Sequence, residues 1–173
     1  QISEAVSLLK QADYVLVGVG AGMSAAAGAK YGGKFFEENF GEFQQKYGKG
    51  DYMKDMYYAG FYPYPDEESY WGYWSKQALL GGIELDVTPL HKVVLDIISN
   101  KNIFVLSTNV DAQFTKAGLS EDKIFCTQGD YFHIQCAKGC HNKIYNAVDL
   151  FHQMDKARRD CKVPKYLVPK CPV

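Results

Sequence analysis

Hydrophobic residues along the chain alternate between helical and strand-like patterns. Residues 3–12 place apolar side chains at helical spacing, and residues 14–19 form a continuous apolar run of strand length. Two more strand-length runs cover residues 103–107 and 124–127, and residues 88–98 carry a helical pattern just before the first of these. Continuously apolar strands that alternate with helices predict an α/β fold in which helices cover both faces of a parallel sheet.

Residue types at the ends of these segments indicate where helices begin and end. Thr88 and Pro89 are typical of a helix start, as N-cap and first-turn residue, and the helix behind them has one apolar face. That face consists of Leu90, Val93, Val94, Ile97 and Ile98. The alanine-rich run after Gly22 favours another helix, and Gly118 is expected to close a short helix before the last strand.

Aromatic residues crowd the segment from Tyr31 to Trp74, which contains no convincing strand pattern. We predict a mostly helical, aromatic-rich insertion over about residues 31–82. Aromatic side chains at helical spacing usually belong to a core, so these rings are expected to pack together. A second role, as the wall of a ligand cleft, is compatible with this packing and stays open.

Composition and charge argue against two classes of partner. The chain of 173 residues is 47% hydrophobic and 23% charged, an ordinary globular mixture, and 19 basic and 20 acidic residues give a net charge of −1. Near-neutral charge without a long basic block argues against nucleic acid. All apolar runs are far shorter than the ~20 residues that a bilayer span requires, so no membrane segment is expected.

The turn after the first predicted strand resembles a phosphate-binding loop. Residues 20–25 read Gly-Ala-Gly-Met-Ser-Ala, which matches the G-x-G-x-x-G/A pattern between a strand and a helix. Missing side chains let backbone N–H groups approach a pyrophosphate there, although a glycine turn can also serve tight packing alone. Glu37, Glu38 and Glu42 lie in a helical pattern rather than at a strand end, which argues against an ordinary dehydrogenase.

Polar residues follow the strand at 103–107, where open parallel sheets place their chemistry. The run Thr108-Asn109-Val110-Asp111 supplies an amide and a carboxylate two residues apart, which suits the carboxamide and ribose hydroxyls of nicotinamide riboside. Asn109 and Asp111 are also good capping residues for the helix that follows. The residues alone leave both roles open.

Cysteines near the end of the chain indicate a metal site. Cys136 and Cys140 offer two thiolates with three residues between them, and Cys171 starts what resembles a second pair. Four such ligands would hold a structural zinc ion, with Cys161 as a candidate fourth ligand and His141 as a weaker one. Free thiols are the alternative, and Cys126 is expected to be plain core.

The length and the cysteines also bear on organisation and location. We predict a nucleotide-binding domain over residues 1–130, which contains the insertion, and the start of a small zinc-binding module over residues 131–173. Five cysteines, an odd number, are a poor disulfide framework and predict a cytoplasmic protein. The chain begins at Gln1 within a helical pattern and without an initiator methionine, so we expect a fragment or a processed chain. We also expect a truncated C-terminus, because the cysteine pair that starts at Cys171 lacks its partner.

Taken together, the glycine motif, the Thr108–Asp111 motif with Ala117-Gly118, and the late cysteines resemble the sirtuin family. The resemblance implies a Rossmann-like NAD domain, a small zinc-ribbon-like module, and cleavage of the nicotinamide–ribose bond. It implies catalytic roles for Asn109, Asp111 and Gln128. The cofactor-binding residues that it implies are Gly20, Ala21, Gly22, Ser24, Gly28, Thr108, Asn109, Val110, Asp111 and Gln128, and the implied metal ligands are Cys136, Cys140 and Cys171.

Three departures from the usual sirtuin pattern indicate which group of sirtuins the chain resembles. Most sirtuins carry Ile-Pro-Asp-Phe-Arg after the first motif, whereas residues 29–35 here read Ala-Lys-Tyr-Gly-Gly-Lys-Phe. Gln113-Phe114 replaces the usual Leu-His, and Gln128 stands where deacylases place their catalytic histidine. These replacements resemble the macrodomain-linked class M sirtuins, which are microbial ADP-ribosyltransferases acting on a lipoylated carrier related to the glycine cleavage H protein.

Because Gln128 cannot act as a titrating base, some of the possible activities are favoured over others. Glutamine cannot accept a proton near neutral pH, so ordinary deacylation is disfavoured, whereas ADP-ribosyl transfer through an oxocarbenium-like transition state depends more on placement and electrostatics. The resemblance therefore implies transfer of ADP-ribose from NAD to a lipoylated carrier, with a macrodomain protein reversing the mark. A lysine deacylase with an unrecognised base, for which His133 is a candidate, and a non-catalytic NAD sensor are the alternatives.

Overall fold

A computed structural model describes residues 1–173, which form two compact units. Residues 1–29 and 86–130 form the first, here called the sheet unit, and residues 30–85 and 131–173 form the second, here called the aromatic unit. The predicted insertion and the predicted cysteine module both lie in the aromatic unit.

The sheet unit contains a three-stranded parallel sheet, as the apolar runs predict, and its middle strand is the one at Asn102–Ser107, which pairs with those at Tyr14–Val19 and Ile124–Cys126. Tyr14 pairs with Asn102 at one end, and Val19 pairs with Ser107 at the other. In chain order its elements are α1 (Ile2–Gln11), β1 (Tyr14–Val19), α2 (Ala21–Ala26), α6 (Pro89–Ile98), β2 (Asn102–Ser107), α7 (Gln113–Lys116), a 3₁₀ turn (Glu121–Lys123) and β3 (Ile124–Cys126). The register brings the carboxyl ends of β1 and β2 side by side.

One face of this sheet is covered and the other is exposed. Val105, Phe114 and Leu119 are buried on the covered side, with Val94 and Leu95 of α6 packed against them. The opposite face consists of Tyr14, Leu16, Phe104, Leu106 and Phe125, with Tyr14 78% and Leu16 70% exposed. The predicted parallel sheet with helices is confirmed, but the apolar run of β1 has exposed side chains on one of its two faces. Alternate side chains of a strand point to opposite faces, and an apolar run does not show what covers each one.

Local capping chemistry fixes the helix ends of the sheet unit. The Thr88 side chain accepts a hydrogen bond from the backbone N–H of His91, and Pro89 opens α6 as predicted. Gly118, at φ 106°, follows α7 as predicted. The alanine-rich helix α2 spans only six residues, because Gly28 at φ 100° ends it. The Ala29 N–H bonds the Ser24 carbonyl and the Gly28 N–H bonds the Ala25 carbonyl, which is a Schellman motif.

Helices make up most of the aromatic unit, as predicted for the insertion. Its elements are α3 (Gly33–Tyr47), a 3₁₀ turn (Asp51–Lys54), α4 (Met56–Ala59), α5 (Glu67–Ala78), a π-helical turn (Leu79–Ile83), β4 (His133–Gln135), β5 (Ile144–Asn146), α8 (Val148–Ala157) and a last 3₁₀ turn (Lys165–Leu167). Strands β4 and β5 pair antiparallel and form a separate two-stranded sheet. No helix of the chain is both long and apolar enough to cross a membrane.

The predicted aromatic core is present. Phe36, Phe40, Phe43 and Tyr73 are fully buried, and the Phe40 ring centroid lies 5.0 Å from that of Phe36 and 5.2 Å from that of Tyr73. The Tyr73 hydroxyl donates to the Met56 carbonyl at 2.9 Å, which satisfies the one polar atom of that ring. Burying a side chain of this size contributes roughly 1.5–3 kcal/mol.

Close backbone packing joins α5 to the segment after α8. A Cβ atom built on Gly72 would lie 2.1 Å from the Cys161 carbonyl oxygen, so only glycine fits at this position. Cys161 itself is buried and adopts φ 60°, directly after Asp160 at φ 48°. Lys162 pairs with the Asp66 carboxylate, which also caps α5 by accepting from the Ser69 N–H at 2.8 Å.

Candidate functional site

The carboxyl ends of β1 and β2 meet at Gly20 and Thr108. The Thr108 backbone N–H donates to the Val19 carbonyl at 3.0 Å and continues the sheet pairing by one residue. A Cβ atom on Gly20 would lie 3.1 Å from the Thr108 hydroxyl oxygen, so a larger residue would press on this turn. The two predicted motifs are thus neighbours in the fold.

Ser24, Asn109 and Asp111 form a buried hydrogen-bonded cluster at this edge. The Ser24 hydroxyl donates to Asp111 Oδ2 at 2.6 Å and accepts from Asn109 Nδ2 at 3.1 Å. Asn109 Nδ2 also donates to the Gly20 carbonyl at 3.0 Å. Ser24 is 1% and Asp111 7% exposed, so the serine hydroxyl is committed to the two polar side chains.

The backbone around Asp111 is tightly held. The Ser107 hydroxyl accepts from the Asn109 N–H at 3.0 Å, and the Gln113 N–H donates to Asp111 Oδ1 at 3.2 Å. Ala112 between them has φ 54°, in the left-handed region. Asp111 therefore receives one hydrogen bond on each carboxylate oxygen.

The Asp111 carboxylate also affects the pKa values of two nearby side chains. Burial lowers the pKa of His91, and the negative charge of Asp111 opposes that shift. Burial likewise lowers the pKa of Lys116, against the charges of Asp111 and Asp86. The His91 ring packs edge-on against Phe114 at 5.1 Å between centroids, so Phe114 fills apolar space at a position where most sirtuins carry histidine.

Gln128 follows β3 and lies beside the second motif. Its Nε2 donates to the Thr108 carbonyl at 3.1 Å, while the side chain remains solvent-exposed. Thr127 next to it continues the pairing of β3 with β2, through its N–H to the Ser107 carbonyl at 2.9 Å. Gln128 thus sits at the same sheet edge as Asn109, with a neutral amide available to a ligand.

The glycine turn is open enough to admit a phosphate group. Ala21 and Gly22 are exposed, and a Cβ atom on Gly22 would meet nothing within 4 Å. They lie in the first turn of α2, where backbone N–H groups lack helical partners. These features fit the predicted diphosphate cradle, whereas Gly28 shapes the other end of α2.

Acidic residues of the insertion are engaged elsewhere. Glu37, Glu38 and Glu42 lie in α3, as the helical pattern predicts, and Glu42 pairs with Arg158 and Lys76 at 3.4 Å each. All three lie within a helix rather than directly after a strand in the chain.

A second candidate site lies in the aromatic unit, where three cysteine thiols converge. Cys140 Sγ lies 3.2 Å from both Cys136 Sγ and Cys171 Sγ, and the three sulfur atoms all lie within 4.8 Å of one another. Gly139, at φ 61°, lets the chain turn between the first two. Hydrogen bonds from the Cys140 backbone and thiol lower the pKa of Cys136 to about 6, which favours the thiolate that metals bind. The cluster can hold a metal ion such as zinc.

The other cysteines do not join this cluster. Cys161 is 1% exposed within the aromatic core, so the suggestion that it supplies a fourth ligand was wrong. His141 Nε2 lies 3.6 Å from Cys171 Sγ, although the sequence made this histidine only a weaker candidate ligand. Cys126 ends β3 in the sheet unit and is partly buried, and burial raises its pKa. His133 lies in β4 of the aromatic unit.

Sequence reasoning missed the contributions of Ser107 and Gln113. Both are buried polar residues, at 4% and 1% exposed, next to the Asn109–Asp111 motif. A polar residue at the inward-facing end of an apolar strand was the available indication for Ser107. For Gln113, it was the replacement of a usual leucine by an amide.

The chain is similar to two curated proteins. It is 32% identical over 164 residues to the "Protein ADP-ribosyltransferase" of Staphylococcus aureus (strain Mu50 / ATCC 700699), covering 95% of this chain and 51% of that protein. It is 32% identical over 143 residues to a "Probable bifunctional ADP-ribose hydrolase/ADP-ribosyltransferase" of Fusarium oxysporum f. sp. cubense, covering 80% of this chain and 23% of that protein. The chain thus spans about half or less of these relatives, and no model of a known protein family matches it.

Solved structures of sirtuins share the fold. A mutant Sir2 homologue in complex with 2′-O-acetyl ADP ribose aligns with TM-score 0.56 and 16% identity, covering 98% of this chain and 56% of that chain. A structure described as the structural basis of sirtuin substrate affinity aligns with TM-score 0.57 and 17% identity, covering 94% and 62%. The chain therefore has the Rossmann-like fold of the sirtuins. The predicted recognition as a sirtuin-like protein is confirmed, and its curated relatives carry the name ADP-ribosyltransferase.

Proposed function

We propose that this chain is the NAD-binding part of a sirtuin-type protein ADP-ribosyltransferase of the macrodomain-linked class. The observation that carries the proposal is Gln128, a neutral amide at the sheet edge beside Asn109, where a deacylase would need a titrating base. The name ADP-ribosyltransferase, which both curated relatives carry, supports the same activity.

The residues at the sheet edge account for cleavage of the glycosidic bond. Asn109 and Asp111 would hold the nicotinamide riboside half of NAD, and the N–H groups of Ala21 and Gly22 would bind its phosphates. The ribose–nicotinamide bond breaks with its electron pair on nicotinamide. The buried charge of Asp111 stabilises the oxocarbenium-like carbon that forms. An acceptor nucleophile then attacks that carbon and loses its proton to solvent.

We further propose that the acceptor is a lipoylated carrier protein and that a macrodomain protein removes the mark. The printed name of the Fusarium relative combines an ADP-ribose hydrolase with an ADP-ribosyltransferase in one protein, which supports the pairing of writing and erasing activities. The resemblance to the class M sirtuins supports a lipoylated protein as the acceptor. We also propose a cytoplasmic location, which the odd number of five cysteines supports.

The test is nicotinamide release by the protein at its full natural length. NAD is supplied with a lipoylated carrier, with the same carrier lacking lipoate, or with an acetylated lysine peptide. The proposal expects nicotinamide release and a carrier heavier by one ADP-ribose only in the first reaction, measured by chromatography and intact-mass spectrometry. Equal labelling of both carriers would contradict the lipoyl requirement.

Deacylation is the second candidate, because a Sir2 homologue of the same fold binds 2′-O-acetyl ADP ribose. Release of O-acetyl-ADP-ribose from the acetylated peptide would favour it over the transferase. NAD binding with no nicotinamide release from any acceptor would favour a sensor.

We propose zinc as the structural metal of the cysteine cluster. One zinc ion per chain is expected by elemental analysis, and Cys140→Ser should lose it because Cys140 lies between the other two thiols. Cys126→Ser is the matched control, since that cysteine lies in the sheet unit and should leave the zinc content unchanged. Zinc retained in full by Cys140→Ser would contradict the assignment.

A further inference from the structure

Gln113 links the Asn109–Asp111 motif to the segment that leads into α6. Its side-chain Oε1 accepts from the Thr88 N–H at 2.8 Å, and its Nε2 donates to the Asp86 carbonyl at 3.1 Å. Its backbone N–H donates to Asp111 Oδ1. Gln113 is 1% exposed, its bond to Asp111 is buried, and its two side-chain bonds are partly buried.

Only an amide of this length satisfies both backbone partners. Leucine, the usual sirtuin residue here, would remove both side-chain hydrogen bonds, and the N–H of the partly buried Thr88 would lose its acceptor, which is costly. An ionised glutamate could accept from Thr88 but could not donate to Asp86. The amide therefore anchors the start of α7, directly after Ala112 in its left-handed conformation.

We infer that Gln113 is a positioning residue that orients the Asp111 carboxylate toward the reacting sugar. It acts through its own backbone N–H on Oδ1, while Ser24 holds Oδ2. The catalytic part of this inference rests on the proposed function, whereas the anchoring of the loop does not.

Two measurements on the full-length protein test the inference with Gln113→Leu. Nicotinamide release should show a kcat at least tenfold lower and a KM for NAD changed less than threefold. Backbone amides of residues 107–113 should exchange hydrogen at least threefold faster, measured by mass spectrometry. Gln45→Leu is the control, because Gln45 is exposed on α3 and both readouts should stay at wild-type values.

Gln113→Glu adds a measurement of activity against pH. If Gln113 only filled space, the pH dependence of this variant would match that of wild type. A protonated carboxyl can both donate and accept, and burial beside Asp111 raises the pKa of such a glutamate. Its activity relative to wild type should rise at least threefold from pH 8 to pH 5.5. Asp86, His91, Asp111 and Lys116, the charged or titratable groups nearby, are present in both proteins, so the ratio removes their contribution. A ratio that does not change with pH would overturn the inference.

The outcomes separate this inference from the proposed function. Loop exchange in Gln113→Leu less than threefold faster than wild type overturns the inference, whatever the activity. A wild-type protein that releases no nicotinamide defeats the proposed function, and loop exchange then decides the anchoring role alone. If Gln113→Leu does not fold, loop exchange in Gln113→Glu at pH 8 takes its place with the same threshold.

Discussion

The two units of the chain bury different kinds of residue. The aromatic unit buries packed rings such as Phe40 and Tyr73, whereas the buried carboxylate Asp111 and the buried imidazole His91 both lie in the sheet unit, which leaves one apolar sheet face in contact with solvent. Burial of rings stabilises a fold directly, whereas burial of hydrogen-bonded polar groups chiefly fixes geometry. We therefore expect ring burial to contribute most to stability in the aromatic unit, whereas the proposed chemistry belongs to the sheet unit.

The largest expected effect tests where stability resides. Phe40→Ala should lower the free energy of unfolding by about 3–5 kcal/mol, because it opens a cavity among fully buried rings. Phe125→Ala is the matched control on the exposed sheet face and should cost less than about 1 kcal/mol, since Phe125 is 57% exposed. Urea denaturation measures both. Equal losses of unfolding free energy would show that the sheet face is covered in solution. They would contradict the difference in stability between the two units.

Asn109→Ala tests where the chemistry resides. Nicotinamide release should fall at least ~100-fold, equivalent to about 2.7 kcal/mol, because the amide that bridges Gly20 and Ser24 is lost. Asn102→Ala serves as control, since Asn102 is exposed at the far end of β2. Undiminished release by the Asn109 variant would remove the site assignment.

Gly72→Ala should destabilise the chain by roughly 1–3 kcal/mol or more, because its Cβ would collide with the Cys161 carbonyl. Gly41→Ala offers a control within a helix of the same unit, with nothing within 4 Å of its Cβ, and should change the free energy by no more than about 1 kcal/mol. Thermal unfolding compares the two. Similar melting temperatures of the two variants would mean that the backbone at Gly72 can move away from that at Cys161 at little cost in free energy.

The smallest effect concerns acid. Hydrogen bonds from Lys162 and Ser69 lower the pKa of Asp66 from 3.8 to about 2, so its contribution is complete above about pH 4 and is lost as the pH falls toward 2. Asp66→Asn keeps the helix cap but cannot titrate, so its free energy of unfolding should fall less steeply over this range. Asp51→Asn, an exposed aspartate, should keep the wild-type slope. Parallel slopes for Asp66→Asn and wild type would contradict the shift.

Local sequence patterns predicted much of this fold because local chemistry decides it. Thr88, Pro89 and Gly118 act through their own backbone neighbours, and the apolar runs paired as parallel strands. The convergence of Cys136, Cys140 and Cys171 followed from cysteine spacing.

What the sequence did not predict depends on partners far away along the chain. The resemblance implied a cofactor-binding role for Ser24, but nothing in the sequence indicated that its hydroxyl bonds Asp111, 87 residues later. Asp86 and Thr88 meet Gln113 in the same way. The exposed face of β1 depends on what covers each side of a sheet, which apolar spacing does not encode.

Ala112 has a further consequence for selection experiments. A residue with a side chain at φ 54° carries a standing conformational cost, which glycine relieves and branched residues increase. In a saturation library selected at rising temperature, glycine should therefore overtake alanine at this codon, and valine and isoleucine should disappear first.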